Sequence, residues 1–347
     1  MIRRSNILLA SLLVAQVMLL ALLAVTSGGA ESRAIEPLVG GISASETQRM
    51  TIAASPDDAV TFARGAAGWA LPDADDFPVD GDKADEILDK LLALDTRQLV
   101  ASNPVNFARL EVKDDDYRQR IELSGEDVSA VIYLGASGGA DTVYARRAGE
   151  NQVYLGRGLN SWELSTQIAT WVDANYVSIA QADVRQLRVR NAQGDFTLLR
   201  DDESWTYTDL REGELLEDTK LPGILRNAAS IRLVEPLGLS ALDSYGFAEP
   251  TVVVEVQYRQ LVEADAADEN EAPSSADNIG DDETAEPQYS EATLTLTFGA
   301  ALEGGDIVLK SSQSDYFVAV RETTYQVFAE LSRDDLVKLP ESDRGGE

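Results

Sequence analysis

The sequence contains no cysteine and no histidine among its 347 residues. Without cysteine there is no disulfide bond, no thiolate metal ligand and no cysteine nucleophile. Without histidine there is no serine–histidine–acid triad, no histidine general base and none of the usual zinc or iron ligand sets. Any chemistry must therefore use carboxylates, lysine, tyrosine, serine or threonine, and no cofactor is predicted.

Basic residues are also scarce, because 29 lysines and arginines stand against 60 aspartates and glutamates, for a formal net charge of −31. A field of this sign repels nucleic acids and anionic lipid surfaces, so no nucleic-acid partner is expected. The acidic excess is typical of a solvated surface that keeps an extracytoplasmic protein soluble. With so many acids, carboxylate pairs of the kind that glycosidases use occur by chance, and we predict a protein that is not an enzyme.

One long segment, residues 7–25, carries no charge at all. A helix of this length measures about 28 Å, close to the thickness of the hydrocarbon core of a bilayer. Arg3 and Arg4 precede it, which by the positive-inside rule keeps the amino terminus in the cytoplasm. The prediction is a cytoplasmic stub over residues 1–6, a transmembrane helix over 7–26 and a linker over 27–45. A cleaved signal peptide is the alternative, because small residues follow the apolar segment.

The rest of the chain contains two similar halves. Residues 58–71 align with residues 194–207 at a constant offset, which places Trp69 opposite Trp205. Each half continues with an acidic connection, a helix-like segment and several alternating apolar stretches. Further matching pairs are 131–135 with 294–299 and 142–155 with 315–328. We predict two α+β repeats of antiparallel strands with packed helices, over residues 46–180 and 181–338, and a tail over 339–347.

Hydrophobic spacing predicts the main helices and one hairpin. A helical period over residues 84–99 predicts a helix capped by Asp82, with a counterpart over residues 221–234. Residues 160–177 are expected to form a helix that closes the first half. Alternating apolar residues on both sides of residues 192–194 predict a hairpin that turns there.

The four tryptophans are predicted to pack in the core. Trp69 and Trp205 stand at the end of a strand, before the following helix, and Trp162 and Trp171 lie nine residues apart on the predicted closing helix. A platform for stacking sugars would use such residues as well. Packing of a large aromatic ring against a helix is the prediction, because burial of its surface contributes more.

The second half differs from the first by an acidic insertion. Residues 263–290 contain ten acids and no base. Such a composition does not form a core, so the segment is predicted to be a disordered insertion between two strands. A charged tether for a partner is the alternative.

Residues 71–86 raise the possibility of a calcium site, because they contain seven carboxylates. An EF-hand loop has acids at positions 1, 3 and 5, glycine at 6 and glutamate at 12. If Gly81 were that glycine, Pro78 would stand at position 3 and Ile87 at position 12, so two ligands are missing. No metal site is predicted, and the weak calcium candidates are Asp73, Asp75, Asp76, Asp80 and Asp82.

The order of these segments resembles a bacterial family known as domain of unknown function 4340. The resemblance is carried by Trp69-Ala-Leu-Pro72, residues 87–100, residues 171–179 and residues 245–256. It implies a single-span protein with an extracytoplasmic repeat region, often encoded beside components of ABC-type export or gliding-motility-like complexes, and it implies no catalytic residue. The first half departs from the pattern, because Phe107 stands where the family has a tyrosine–glycine pair.

We therefore predict a single-pass protein of the bacterial inner membrane with most of its chain in the periplasm. Its partners are expected to be the membrane, through the N-terminal helix, and an integral-membrane or periplasmic protein of a transport complex. The alternative is a periplasmic module of the cell envelope that binds glycans or hydrolyses them with carboxylates.

Overall fold

The computed structural model describes residues 35–202, 204–261 and 288–339, together with residues 13, 16 and 18. The predicted cytoplasmic stub, nearly all of the predicted transmembrane helix, most of the predicted acidic insertion and residues 340–347 of the tail lie outside the described residues. In the part of the chain that the structure describes, no helix combines the length and the apolar character that a bilayer span requires.

From residue 35 onward, the described residues fold as a mixed α+β structure with two large antiparallel sheets and four short helices. The helices are α1 (Gly81–Leu92), α2 (Phe107–Leu110), α3 (Leu221–Ala229) and α4 (Glu322–Ala329). This arrangement confirms the predicted α+β class and the antiparallel strands.

Nine strands form the first sheet. They are β1 (Arg49–Ser55), β2 (Asp58–Gly65), β3 (Gly68–Leu71), β4 (Phe77–Pro78), β5 (Leu99–Ala101), β6 (Gln119–Ser124), β7 (Ser129–Gly139), β8 (Thr142–Arg147) and β9 (Val153–Arg157). Their order across the sheet is β4-β3-β2-β1-β6-β7-β8-β9-β5. Strand β5 therefore lies at one edge, where β9 is its hydrogen-bonded neighbour.

Eight strands form the second sheet, and four others form two small pairs. In chain order the strands are β10 (Asn175–Ser178), β11 (Val184–Asn191), β12 (Gly194–Asp201), β13 (Ser204–Tyr207), β14 (Leu215–Leu216), β15 (Ser230–Arg232), β16 (Glu235–Gly238), β17 (Val252–Leu261), β18 (Tyr289–Ala301), β19 (Ile307–Ser311), β20 (Phe317–Val320) and β21 (Val337–Lys338). The large sheet has the order β13-β12-β11-β17-β18-β19-β20-β16, and the pairs are β10-β15 and β14-β21.

The two sheets have corresponding strand orders. If β1 is set against β11 and β6 against β17, the order β3-β2-β1-β6-β7-β8-β9-β5 of the first sheet matches the order β13-β12-β11-β17-β18-β19-β20-β16 of the second, strand by strand. Strand β8 then stands opposite β19 rather than β20, so the sequence match of residues 142–155 with 315–328 is displaced by one strand. The displaced match joined two apolar stretches of similar length that have different places in the sheet.

Helix α1 begins and ends earlier than the sequence predicted. Its N-cap is Asp80, whose extended backbone lets the side chain accept a hydrogen bond from the N–H of Lys83 at 3.1 Å. Asp82, the predicted cap, lies in the first turn, where its charge opposes the positive end of the helix dipole. The helix ends at Leu92, and Leu99, which the period included, belongs to β5. The buried face packs on the first sheet through Ala84, Ile87, Leu88 and Leu91.

The predicted closing helix over residues 160–177 is wrong. The segment forms two short 3-10 turns, Ser161–Glu163 and Ile168–Thr170, and then enters strand β10. Side chains compete with helical hydrogen bonds here, because the Trp171 indole donates to the Ser165 carbonyl at 2.7 Å and the Thr170 hydroxyl to the Gln167 carbonyl at 2.8 Å. A local hydrogen-bonded turn replaces the continuous helix.

The second half follows its predicted pattern more closely. The hairpin of β11 and β12 turns at residues 192–193, and Gly194 opens β12 with a positive φ of 153°. This confirms the predicted turn. Helix α3 ends at Ala229 rather than at residue 234, because the backbone becomes extended at Ser230 and continues as β15.

Several predicted boundaries fall inside packed structure. Leu38, Val39 and Ile42 of the predicted linker are buried in the core, so packing starts before residue 46. Strand β10, assigned to the first half, pairs with β15 of the second. Strand β18 begins at Tyr289, so the last residues of the predicted insertion belong to a strand that pairs with β17.

Candidate functional site

The five weak calcium candidates serve different local roles. Asp80 caps helix α1, and the Asp75 carboxylate accepts a hydrogen bond from the N–H of Leu239 at 2.7 Å. The remaining three are exposed and are Asp73, Asp76 and Asp82. Among the described residues, no group of three or more acidic side chains is placed to hold a metal ion. The acidic stretch thus has a structural use that does not require calcium.

This acidic stretch joins the two sheets. Asp75 and Asp76 both adopt left-handed backbone conformations, with φ of 52° and 59°. The Tyr316 hydroxyl donates to their carbonyl oxygens at 3.2 and 3.4 Å, and the Phe77 ring meets the Tyr316 ring edge to face at 4.8 Å. Burial, followed by the charges of Asp76 and Asp75, raises the pKa of Tyr316. The hydroxyl therefore stays protonated and remains a donor.

We expect the Asp75–Leu239 hydrogen bond to stabilise the junction measurably. Asp75→Gly keeps the left-handed backbone but removes the acceptor, and it should lower the free energy of unfolding by about 1 kcal/mol, since the N–H of Leu239 loses its charged partner. Asp75→Asn keeps both the acceptor and the backbone preference and should cost less than half as much. Urea denaturation of both variants checks this, and equal losses would contradict it.

Trp162 is largely exposed to solvent. Trp162 lies in the turn Ser161–Glu163 with 77% of its surface exposed, so its predicted packing is wrong. Trp171 and Trp69 are buried, as predicted. An exposed large aromatic ring on a folded surface marks a place where something binds more often than an exposed aliphatic chain does.

The turn that carries Trp162 is held from several sides. The backbone N–H of Asn160 donates to the Glu163 carboxylate at 2.7 Å, and Lys90 forms an ion pair with the same carboxylate. The buried side chain of Gln119 donates to the carbonyl groups of Ser161 and Leu164 at 2.8 and 2.7 Å. Burial raises the pKa of Glu163, but the hydrogen bonds from Lys90 and Asn160 outweigh it and the pKa is lowered. The turn is therefore fixed before any ligand arrives.

Trp162 borders a groove of about 670 Å³ beside the first turn of α1. Its rim carries the carboxylates of Asp80, Asp82, Glu86 and Glu163. The ammonium group of Lys83, which also lines the groove, lies 4.7 Å from the Trp171 ring and donates to the Thr170 carbonyl. We call this feature the Trp162 groove. It combines an exposed indole with a surplus of negative charge.

A second cavity, of about 840 Å³, lies between the two halves. Arg226, Arg232 and Arg321 line it, and so do Asp57, Asp58 and Glu235. The charges balance, so this inter-sheet cleft is locally neutral in a strongly acidic protein. Burial, followed by the charge of Asp306, raises the pKa of Glu235. A carboxyl of this kind holds its proton at higher pH than an exposed glutamate does.

Sequence reasoning missed both of these surfaces. The one local signal for the Trp162 groove is the spacing of Asn160 and Glu163, which is that of a capping box and indicates a turn. The inter-sheet cleft has no local signal, because it joins residues from strands and loops that are far apart in the chain.

No curated protein and no solved structure is detectably similar to the chain. The model of the family described as domain of unknown function (DUF4340) matches residues 69–260. The match runs from Trp69 in β3 to Gln260 in β17 and so includes the Trp162 turn, the inter-sheet junction and strands of both sheets. Because it covers more than half of the 347 residues, the chain belongs to the DUF4340 family.

Proposed function

We propose that the protein is a non-enzymatic accessory protein that binds a protein partner in the periplasm. Residues 7–26 would anchor it in the bacterial inner membrane, with the amino terminus in the cytoplasm. The partner would be an integral-membrane or periplasmic component of an ABC-type export or gliding-motility-like complex. The observation that carries the binding role is the Trp162 groove, where a fixed turn presents a bare indole beside a row of carboxylates.

The Trp162 groove has the properties of an interaction hot spot. Tryptophan is enriched among residues that dominate binding energy, and a turn whose backbone is already held loses little entropy on binding. The surrounding carboxylates favour a partner surface that places basic residues around the indole contact. The net charge of −31 would further speed the approach of a basic partner at low ionic strength.

We further propose that the two halves are copies of one unit. The corresponding strand orders support this, and so do Gly135 in β7 and Gly299 in β18, which take the same place in their sheets. A second groove of about 670 Å³ borders Ile224 of α3 and Lys220, the residue before that helix, as the Trp162 groove borders Ile87 and Lys83 of α1. No tryptophan lines the second groove, so the proposed partner binds the first unit.

Trp162→Ala is expected to abolish partner capture without changing stability. The indole is exposed, so its removal leaves no cavity in the core and the midpoint of thermal unfolding should stay within about 1 °C. The measurement is co-purification of the full-length chain from membranes in mild detergent, followed by identification of the captured protein. Leu261→Ala is the control, because Leu261 is 54% exposed at the far tip of β17.

Three results would contradict the proposal. If the full-length protein remains monomeric and free of any partner in mild detergent, it does not act by binding a protein partner. If the wild type and Trp162→Ala capture the partner equally well, the Trp162 groove is not the binding site. A mature chain that starts near Glu31 removes the membrane anchor.

A glycan-binding or hydrolytic envelope protein is the second candidate, because an exposed indole beside carboxylates also suits a saccharide. In a hydrolytic version, Glu235 in the inter-sheet cleft would supply the protonated carboxyl. Titration with envelope glycans should then quench tryptophan fluorescence in the wild type and not in Trp162→Ala. Unchanged fluorescence at millimolar glycan favours the protein-binding function.

A further inference from the structure

The two sheets differ at one corresponding edge. In the second sheet, the edge strand β16 is covered by residues 72–75 of the first half, and Pro236 and Gly238 of β16 are buried. At the end of this contact, the Asp75 carboxylate accepts a hydrogen bond from the N–H of Leu239, one residue beyond the strand. Within one chain, a turn of the first unit thus covers the edge of the sheet of the second unit.

Strand β5 has the same place in the first sheet, but among the described residues no turn covers its outer edge as residues 72–75 cover β16. Leu99 is 48% exposed and Val100 37% exposed, and within the described residues β9 is the only strand that pairs with β5. An uncovered sheet edge with apolar side chains is a template for another chain, and terminal units of repeat proteins usually carry a polar outer face instead. Within the part of the chain that the structure describes, the first unit therefore has no counterpart of the cap that the second unit receives.

We propose that a second copy of this chain covers β5 head to tail, through residues 208–215 of its second unit. These residues follow β13 as residues 72–77 follow β3, so they are the counterpart of the turn that covers β16. They are largely exposed, and Leu215 at their end is 49% exposed. The inference rests on the proposed equivalence of the two units and is independent of the Trp162 groove.

Charges at the two surfaces are complementary. The segment 208–215 carries three acids and one base, namely Asp209, Glu212, Glu214 and Arg211. Glu214 pairs with Arg333, whereas Asp209 and Glu212 form no ion pair within the described part of the chain. Beside β5 stands Arg157, which donates to the Gln98 side chain at 3.0 Å and likewise has no carboxylate partner among the described residues. At physiological ionic strength the net repulsion between two acidic chains is screened beyond about 8 Å, whereas these contacts act at shorter range.

The contact is heterologous, because it joins different surfaces of the two copies. Such a contact leaves a free β5 at one end and a free segment 208–215 at the other, so further copies can add. A symmetric dimer through two β5 edges is the rival arrangement.

The absence of cysteine makes the test direct. Full-length Val100→Cys and Glu212→Cys proteins are purified in mild detergent, mixed in equal amounts and oxidised, with Leu99→Cys and Asp209→Cys as a second pair in a neighbouring register. We expect a disulfide-linked dimer in at least one mixture at ten or more times the yield of either protein alone. Sedimentation velocity of the wild type should show association that Val100→Lys abolishes. Leu261→Lys, at an exposed apolar site on β17, should leave the association unchanged.

A dimer that forms in Val100→Cys alone as readily as in the mixture would overturn the head-to-tail arrangement. Wild-type protein that sediments as a monomer at every concentration, with no cross-link in either mixture, would overturn self-association altogether. Partner capture reports separately on the proposed function, because Trp162→Ala should associate with itself as the wild type does.

Discussion

Replacing Gly135 or Gly299 with alanine is expected to lower the free energy of unfolding by about 3 kcal/mol at either position. Both glycines lie in strands, where a side chain would normally be tolerated. A Cβ atom at Gly135 would overlap the carbonyl oxygen of Leu110, and one at Gly299 would overlap the carbonyl oxygen of Tyr245. Backbone atoms cannot rotate away as a side chain can, so α2 or the turn at Tyr245 must move off its sheet. Urea denaturation of the two variants gives the values.

Gly223→Ala provides the matched control, because a Cβ there would meet nothing within 4 Å. It lies in the first turn of α3, where alanine should raise the free energy of unfolding by up to about 0.5 kcal/mol. Similar losses at Gly135 and Gly299 are also what the proposed equivalence of the two units requires. A large loss at one glycine and none at the other would contradict that equivalence.

Gly135 also shows which structural features the sequence pattern predicts and which it does not. The match of residues 131–135 with residues 294–299 predicts a strand in both halves correctly, and Gly135 stands in a cluster with Gly138 and Gly139. Only Gly139 of that cluster has a positive φ, 143°, whereas Gly135 is needed because another backbone approaches it. A close approach between distant segments leaves no period in the sequence, so it cannot be inferred from one chain.

Helix ends were harder to predict than helix faces. Ile87, Leu88 and Leu91 are buried on one face of α1, as their spacing predicts. The cap was displaced by two residues, because Asp80 and Asp82 are equally suitable by residue type and only the extended backbone at Asp80 decides between them. The wrong prediction of a helix over residues 160–177 has a related cause, since the spacing of apolar residues does not show the side-chain hydrogen bonds that prevent that helix.

The candidate binding surfaces depended most on tertiary structure. Trp162 was assigned to the core because it stood on a helix that does not form, and once the helix is replaced by a turn the indole faces solvent. The composition of the acidic stretch likewise gave no indication of its contacts with Leu239 and Tyr316. Contacts across more than a hundred residues carry no local signature.

Arg146 in strand β8 is the clearest case of a residue whose role only packing defines. It is 1% exposed, and its guanidinium group donates to the carbonyl groups of Val112 at 2.7 Å and Glu150 at 3.1 Å. The same group lies over the rings of Phe107 and Tyr133, 4.4 and 4.7 Å from their centroids. Its remaining nitrogen reaches Asp114 at 2.7 Å, at the surface. The arginine therefore supplies hydrogen-bond donors to two backbone carbonyl groups and at the same time packs against two aromatic rings.

Arg146→Met is expected to lower the free energy of unfolding by about 3 kcal/mol, because it leaves two carbonyl groups without their donor although it fills much of the same volume. Arg146→Lys should recover little of this loss, since one ammonium group cannot reproduce the planar fork that contacts both carbonyl groups. Asp114→Asn should cost less than about 1 kcal/mol, because that carboxylate is 69% exposed and the pair is screened by water. If Asp114→Asn proved as damaging as Arg146→Met in urea denaturation, the ion pair rather than the backbone contacts would be the main source of stability. Full stability of Arg146→Lys would mean that charge alone, without the planar geometry, holds α2 against the first sheet.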